Sequence, residues 1–196
     1  MPLERVSSIL IAGLGNPGIE YEKTRHNIGF MVADSLNQQA GSTFEHVHLH
    51  YCMSRLKWHE NQLCLIKPLT YMNLSGLAVH NAILTYRIPI DRVLIVYDDI
   101  NLPIGRIRIR KNGSDGGQKG LKSILQTLGT KEIARLRIGI GNPEKGGVID
   151  YVLSPFSDQE VPVVKKCIKV ACQAILDFVD NGLDHAMNFY NGLNCE

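Results

Sequence analysis

Two segments carry side chains that could transfer a proton. His26 lies in the polar stretch Thr24-Arg25-His26-Asn27, directly before the first predicted helix, and Asp98 and Asp99 follow directly after the apolar strand 92–97. Histidine exchanges a proton near neutral pH, and a neighbouring carboxylate holds one tautomer and stabilises the imidazolium. Because neighbouring strand ends converge in a twisted α/β sheet, we expect His26 to meet one of these two aspartates. The alternative is that His26 is an ordinary surface residue.

Two asparagines add neutral hydrogen-bond donors. Asn16 lies in the glycine-rich loop 13–18, and Asn73 stands directly before the helix-prone stretch 74–86. Asn73 therefore fits a helix N-cap as well as it fits a site residue. In the second interpretation both amides donate to a peptide carbonyl or to the oxyanion that develops on it.

The loop 13–18 also matches the G-x-G-x-x-G pattern of dinucleotide-binding folds. That fingerprint requires a helix that opens directly from the loop and an acidic residue about 20 positions later. Here Pro17 and a polar stretch delay the helix, and position 38 is a glutamine. A dinucleotide-dependent enzyme is therefore the less favoured interpretation, and we expect no cofactor.

Other catalytic patterns are weak or missing in the sequence. His46, His48 and His50 alternate on one predicted strand face, with Glu45 as the acidic residue beside them. We interpret them as a solvated strand face and expect no metal site. The sequence contains neither the G-x-S-x-G pattern of a serine nucleophile nor the Walker pattern of a nucleoside triphosphate site.

The charge of the chain is unevenly distributed. Residues 105–145 contain ten basic and three acidic side chains, a net charge of +7. The whole chain carries +2, so the remainder carries −5. Within the segment, a glycine-rich loop leads into a helix that begins near Lys119 and Lys122, an arrangement suited to phosphate contacts. The segment indicates a surface for a polyanion, although a solvated charged surface has the same signature.

The hydrophobic pattern predicts strands that alternate with helices. The predicted strands are 8–13, 44–58, 62–67, 92–97, 105–111 and 135–141, with a turn at residues 60 and 61. The predicted helices are 28–39, 74–86, 119–128, 157–179 and 183–190. An apparent hairpin before residue 73 makes the sheet mixed rather than purely parallel. We therefore expect an α/β fold with a mixed twisted sheet flanked by helices.

Length and composition limit the architecture and the location. With 196 residues, 44% of them apolar, the chain fits a single domain spanning 1–196. Its five cysteines are odd in number and form no C-x-x-C pair, so we expect reduced thiols. No apolar run approaches the roughly 18 residues of a membrane helix, and the N-terminal residues do not fit a signal peptide. We expect a soluble, cytoplasmic protein.

Five segments form an ordered set of motifs along the chain. They are GLGNPG (13–18) followed by Tyr21, TRHNIGF (24–30), PLTYMNLSG (68–76), the stretch 98–105 and RLRIGIG (135–141). Together they make the chain resemble the bacterial peptidyl-tRNA hydrolase family from about residue 10 to residue 189. The resemblance implies a cofactor-free α/β monomer that hydrolyses the ester between a peptide's C-terminus and the 3′ ribose of its tRNA.

The resemblance also implies roles for individual residues. His26 would be the general base and Asp98 its supporting carboxylate, while Asn16 and Asn73 would bind the peptide end of the substrate. A second set would contact the rest of the substrate: Tyr21 and Tyr71 as lining residues of the site, and Arg110 and Arg137 as a clamp on a tRNA phosphate. Phosphate contacts hold any tRNA regardless of sequence, so binding should weaken steeply with salt.

The chain departs from this family at one motif. The family usually shows histidine followed by asparagine where this chain has Gln118 and Lys119. In the family that asparagine contacts substrate near the attacking water, and this chain lacks its amide. We hypothesise that Lys119 reaches a phosphate or the terminal ribose instead. The alternative function is a non-catalytic RNA-binding relative acting in RNA processing, and the retention of His26 and Asp98 counts against it.

Overall fold

The computed structural model describes residues 7–143 and 147–195. Glu144 and Lys145, which were counted in the basic segment, lie outside the described residues, as do residues 1–6 and 196. Within the described chain the strands are β1 (Ser7–Gly13), β2 (His46–Val47), β3 (Tyr51–Trp58), β4 (Asn61–Pro68), β5 (Val93–Asp99), β6 (Ile107–Arg110) and β7 (Ala134–Gly139). The helices are α1 (Ile28–Gln39), α2 (Ser75–Tyr86), α3 (Lys119–Leu128), α4 (Val148–Val152), α5 (Val161–Asn181) and α6 (Leu183–Tyr190).

The strands form one mixed sheet in the order β2-β3-β4-β1-β5-β7-β6, which confirms the predicted fold class. β1 pairs in parallel with β4 and β5, and β5 pairs in parallel with β7. β3 is antiparallel to both of its neighbours, β2 and β4, and β6 is antiparallel to β7. The carboxyl ends of β1 and β5 therefore lie side by side, and open α/β sheets bind ligands at such strand ends.

Helices cover both faces of the sheet because alternate strand residues point to opposite sides. Ile11 and Val96 join a core cluster that includes residues of α1 and α5, whereas Ala12 and Ile95 join a second cluster with residues of α2 and α3. Burial of such apolar surface contributes about 25 cal/mol per Å² to folding. Since Asp98 lies two residues after Val96, its side chain leaves β5 on the α1 side of the sheet.

Every predicted strand differs from the observed one by one or two residues at an end, and β6 and β7 are both shorter than predicted. Three further differences concern turns and the end of β5. The predicted strand 44–58 is divided into β2 and β3, because His48 N donates to Tyr51 O at 2.8 Å and closes a turn between them. The next turn lies at His59, with φ 49°, and Glu60, so that Asn61 already belongs to β4. The strand predicted for 92–97 extends to residue 99 and includes Asp98.

Three helices, α1, α3 and α6, have the predicted bounds, and two others do not. The short helix α4 was not predicted. The helix expected from residue 157 begins at Val161, and Ser157 N donates to Glu160 Oε2 at 2.7 Å in the preceding turn. In the described ranges, the helices are too short or too polar to span a bilayer.

Candidate active site

His26 and Asp98 lie in direct contact at the carboxyl end of the sheet. His26 belongs to the 3-10 turn Arg25–Asn27, which leads into α1, and Asp98 is the penultimate residue of β5. His26 Nδ1 lies 2.7 Å from Asp98 Oδ2, and the two side chains are 10% and 2% exposed. An ionised carboxylate only accepts hydrogen bonds. The contact therefore favours the tautomer with a proton on Nδ1, which leaves Nε2 as an acceptor.

Two glycines allow this contact by letting α1 approach the strand ends. A Cβ atom on Gly29, in the first turn of α1, would lie 2.4 Å from both Leu14 N and Val96 O. A Cβ atom on Gly13 would lie 2.3 Å from Gly29 O. Because a side chain at either position would push α1 away from β1 and β5, these glycines fix the distance between His26 and Asp98.

Asn16 is oriented by backbone and side-chain hydrogen bonds around its loop. Its Oδ1 accepts from Met72 N at 2.8 Å. The Asn27 side chain holds the Asn16 backbone from both sides. Its Oδ1 accepts from Asn16 N at 2.8 Å, and its Nδ2 donates to Asn16 O at 2.9 Å. With Oδ1 engaged, the Nδ2 amino group is the end of the Asn16 amide that can donate to a ligand.

His26, Asp98 and Asn16 line a cleft of about 440 Å³. Asn16, His26 and Asp98 form its floor beside Gln118. An apolar wall stands near them, formed by Ile100, Val148, Ile149, Val152 and Leu153. A cleft with mainly apolar walls and a few convergent polar groups is the usual form of a ligand site.

Gln118 connects the cleft floor to α3. Its Nε2 donates to Asp98 Oδ1 at 3.0 Å, and its Oε1 accepts from Leu121 N at 2.6 Å as the N-cap of α3. Lys119, the next residue, is exposed and lines the cleft. In the sequence Gln118 stands out only as a departure from a family motif, and no local pattern signals its contact with Asp98.

Asn73 and Tyr71 lie at the rim of the cleft, where both are exposed. The N-cap interpretation of Asn73 is wrong, because Asn73 lies inside the 3-10 turn Met72–Leu74 and α2 begins at Ser75. Its amide is therefore available at the cleft. Tyr21 is half-buried and is not among the described residues that line the cleft; its carbonyl accepts from Thr24 Oγ1 at 2.8 Å.

The strands β6 and β7 place arginines on one face of the sheet. Arg108 lies opposite Arg137, and Arg110 lies opposite Arg135. Ile107 and Ile109, on the opposite face of β6, are buried as the alternation predicted. Cross-strand partners share a face. The guanidinium groups are therefore collected at one edge of the sheet rather than spread over it.

The four arginines of this face differ in exposure. Arg108 is exposed and Arg110 half-buried. Arg137 is 22% exposed, and its Nε donates to Asp99 Oδ2. Arg135 is 1% exposed and donates to carbonyl oxygens of the loops on either side of α3, which are those of Gly113, Ser114 and Lys131. Burial lowers the pKa of Arg135 from its ordinary value, and its role is to hold these loops rather than to meet a ligand.

Arg25 forms a buried junction that the sequence did not reveal. Its guanidinium makes two hydrogen bonds to Glu160, at 3.1 and 2.7 Å, and its Cζ lies 4.4 Å from the centroid of Tyr151 and 4.8 Å from that of Phe156. These contacts join the turn that carries His26 to α4 and to the start of α5. Arg25 and Glu160 are 135 residues apart, so no local signal predicts the pair.

Replacement of Glu160 by glutamine is expected to cost about 2 kcal/mol of unfolding free energy at neutral pH. Removing one charge from a fully buried ion pair lowers the unfolding free energy by roughly 3–5 kcal/mol. The loss is smaller here because the Glu160 side chain is 25% exposed. Burial alone raises the pKa of Glu160, but hydrogen bonds from Arg25 and Ser157 outweigh it and hold the pKa below its ordinary 4.5.

The contribution of a carboxyl with a lowered pKa is fully present above the ordinary value and is lost as pH falls through the folded value. Urea unfolding of both proteins should therefore show a difference that is constant above about pH 6 and shrinks below about pH 4.5. A difference that grows on acidification would contradict this account of the ion pair.

Comparison with known proteins gives matches that span almost the whole chain. The family model described as peptidyl-tRNA hydrolase matches residues 10–196. A peptidyl-tRNA hydrolase of Caldanaerobacter subterraneus subsp. tengcongensis is 45% identical over 183 residues, which are 93% of this chain and 99% of that protein. One from Chlorobium phaeovibrioides is 47% identical over 184 residues, 93% of this chain and 97% of that protein.

The fold matches equally well. A crystal structure of peptidyl-tRNA hydrolase from Acinetobacter baumannii aligns with a TM-score of 0.90 at 32% identity, covering 100% of both chains. The resemblance inferred from five short motifs is therefore confirmed across the sequence and the structure. This chain belongs to the peptidyl-tRNA hydrolase family.

Proposed function

We propose that this chain hydrolyses the ester between the C-terminal carboxyl of a peptide and the terminal ribose of its tRNA, with His26 as general base. The observation that carries the proposal is the buried hydrogen bond between His26 and Asp98 on the floor of the cleft. The activity agrees with the names of the relatives and with the family to which the chain belongs. Its products are a free peptide and a tRNA ready for reuse.

In the proposed reaction His26 Nε2 removes a proton from a water molecule as the water oxygen attacks the ester carbonyl carbon. Asp98 keeps the other ring proton on Nδ1 and stabilises the imidazolium that forms. When the bond between the carbonyl carbon and the ribose oxygen breaks, the imidazolium returns its proton to that oxygen. A general base of this kind typically contributes about 10²- to 10⁴-fold in rate.

The amides of Asn16 and Asn73 are the proposed donors to the peptide end of the substrate. The Nδ2 group of Asn16 is held in place because its Oδ1 accepts from Met72 N. A donor that is already oriented stabilises the developing oxyanion without reorganisation, and loss of such a donor costs about 10²- to 10³-fold. Asn73 and Tyr71, both exposed at the rim, are suited to contact the peptide before the reacting bond. Tyr21 supports the loop of Asn16, because its backbone N donates to Gly18 O at 3.1 Å.

The tRNA is proposed to lie against the arginine face and the start of α3. Arg110 and Arg137 share that face, and Lys119 lies exposed at the cleft. Basic side chains bind phosphates through charge and carry no base specificity. Asp99 already engages Arg137 Nε, so a phosphate would have to bind the remaining guanidinium nitrogens or displace the carboxylate.

Substitution of Lys119 by alanine is expected to raise KM severalfold and to change kcat little. If the lysine contacts a phosphate or the ribose, it binds the substrate and the transition state equally. Loss of such a contact raises KM and leaves kcat unchanged. The slope of log affinity against log salt should decrease by about one, the value for a single lost phosphate contact. Steady-state kinetics at several salt concentrations measure both quantities, with Lys169→Ala, exposed on α5, as the matched control. An unchanged KM would refute the proposed contact.

The non-catalytic RNA-binding alternative is separated from the hydrolase by one assay. The purified protein is mixed with an N-acetylated aminoacyl-tRNA, and the release of the acylated amino acid is followed. Release with many turnovers per protein molecule supports the hydrolase. Tight binding of the tRNA without release would favour the alternative.

We further propose that the protein acts as a monomer in the cytoplasm. The proposed base His26, its carboxylate Asp98 and the amides of Asn16 and Asn73 meet at one cleft, so the groups of one copy are sufficient for the proposed reaction. The cytoplasm is where tRNA is used in translation. Sedimentation of the purified protein with and without tRNA measures the number of copies directly.

A further inference from the structure

We infer that Gln118 is a positioning residue for the proposed reaction, acting through Asp98 rather than on the substrate. This inference rests on the proposed function of His26 and Asp98. Gln118 is 8% exposed and lies on the floor of the cleft, behind the aspartate that holds His26. It connects the start of α3 to the catalytic carboxylate by a single side chain.

The orientation of the Gln118 amide follows from its partners. Leu121 N is a backbone donor, so the atom that lies 2.6 Å from it must be the amide oxygen. The amino group is then directed to Asp98 Oδ1, at 3.0 Å, and to Met72 Sδ, at 3.2 Å. Both polar atoms of the amide are thus engaged. A rotation of the amide by 180° would place its amino group against the donor Leu121 N and its oxygen against the acceptor Asp98 Oδ1.

The contact determines how Asp98 presents its two oxygens. Oδ1 accepts from Gln118, and Oδ2 accepts from His26. A carboxylate held at both oxygens cannot rotate without losing one bond, so Oδ2 stays aligned with the ring. An amide N–H only donates, so the Asp98 oxygen that it faces must be an acceptor. Gln118 therefore helps to keep Asp98 as the acceptor that fixes the His26 tautomer.

A side chain that only caps α3 would behave differently under substitution. Serine is a good N-cap but is too short to reach Asp98. The variant Gln118→Ser should therefore retain an unfolding temperature within about 2 °C of the native protein. Its kcat should fall by about 10- to 100-fold, the effect of losing a hydrogen bond to a charged group, with KM nearly unchanged.

The variant Gln118→Glu adds a second test that keeps the cap of α3. Its carboxylate oxygen can still accept from Leu121 N, but an ionised carboxylate offers Asp98 no N–H donor. We therefore expect kcat at neutral pH to fall by at least tenfold, with KM nearly unchanged.

The two proposals can fail separately. The control Gln126→Ala, exposed on α3, should match the native protein in every assay. If the native protein releases peptide but Gln118→Ser and Gln118→Glu stay within twofold of it at neutral pH, only the role of Gln118 is overturned. If the native protein does not release peptide, the proposed function is overturned. The effect of Gln118 on Asp98 and His26 can then still be tested by nuclear magnetic resonance. A His26 Nδ1–H signal of Gln118→Ser identical to the native one in shift and exchange rate would then overturn the inference.

Discussion

Alanine at position 26 is expected to lower kcat for peptide release by about 10²- to 10⁴-fold. The imidazole supplies the base that removes the proton of the attacking water. The carboxylates that also line the cleft are held by other partners, Asp98 by Gln118 Nε2, Asp99 by Arg137 Nε and Asp115 by Gly117 N. KM should change little, since Asn16 and the arginine face remain. Single-turnover release with enzyme in excess over N-acetylated aminoacyl-tRNA measures the chemical step separately from binding.

The matched control for this substitution is His185→Ala. His185 is exposed on α6 and also contacts an aspartate, with its Nδ1 2.9 Å from Asp177 Oδ2, but it does not line the cleft. It should release peptide at the native rate. Added imidazole should partly restore His26→Ala and leave the control unaffected. A rate for His26→Ala within threefold of the native rate would show that a different group activates the water.

Asparagine at position 98 is expected to lower kcat on the order of 10³- to 10⁴-fold, as the same change does in other histidine–aspartate pairs. Both groups that face Asp98, His26 Nδ1 and Gln118 Nε2, act as donors in the native protein. An asparagine side chain offers one acceptor and one donor, so one partner must meet an N–H group. If the ring adapts, its proton moves to Nε2, and His26 can no longer accept a proton from water.

The neighbouring carboxylate provides the comparison for this variant. Asp99 also lies at the end of β5 and lines the cleft, but it bonds to Arg137 and to Asn101 N rather than to His26. Asp99→Asn should therefore alter KM and its salt dependence more than kcat. Equal losses of kcat in the two variants would mean that general negative charge, and not the contact with His26, is what the reaction requires.

The sequence predicted that His26 would meet an aspartate at the end of β5, because that meeting depends on regular features, and the family resemblance singled out Asp98. A buried strand has a recognisable apolar run, and its last residues must lie at the carboxyl edge of the sheet. The polar turn before α1 lies at that same edge because α1 follows β1. Two strand ends and one helix start were therefore enough to bring the two side chains together, without knowledge of the rest of the fold.

Other contacts could not be predicted because they depend on how separate elements pack. The pair Arg25–Glu160 joins residues 135 positions apart, and α4, which packs against it through Tyr151, has only five residues. In the sequence Gln118 only replaces the usual histidine of the family motif. Its contact with Asp98 depends on where α3 packs, which the sequence does not reveal. Asn73 was ambiguous because a 3-10 turn before α2 moves the start of the helix by one residue, from 74 to 75.

The most direct test of the account is to locate the proton on the His26 ring. Nitrogen-15 nuclear magnetic resonance of the native protein, at a pH where the ring is neutral, distinguishes a protonated from a bare ring nitrogen. The account predicts a proton on Nδ1, shared with Asp98 Oδ2 across 2.7 Å, and a bare Nε2. A proton found on Nε2 in the native protein would contradict it, because the ring would then have no acceptor for the proton of water.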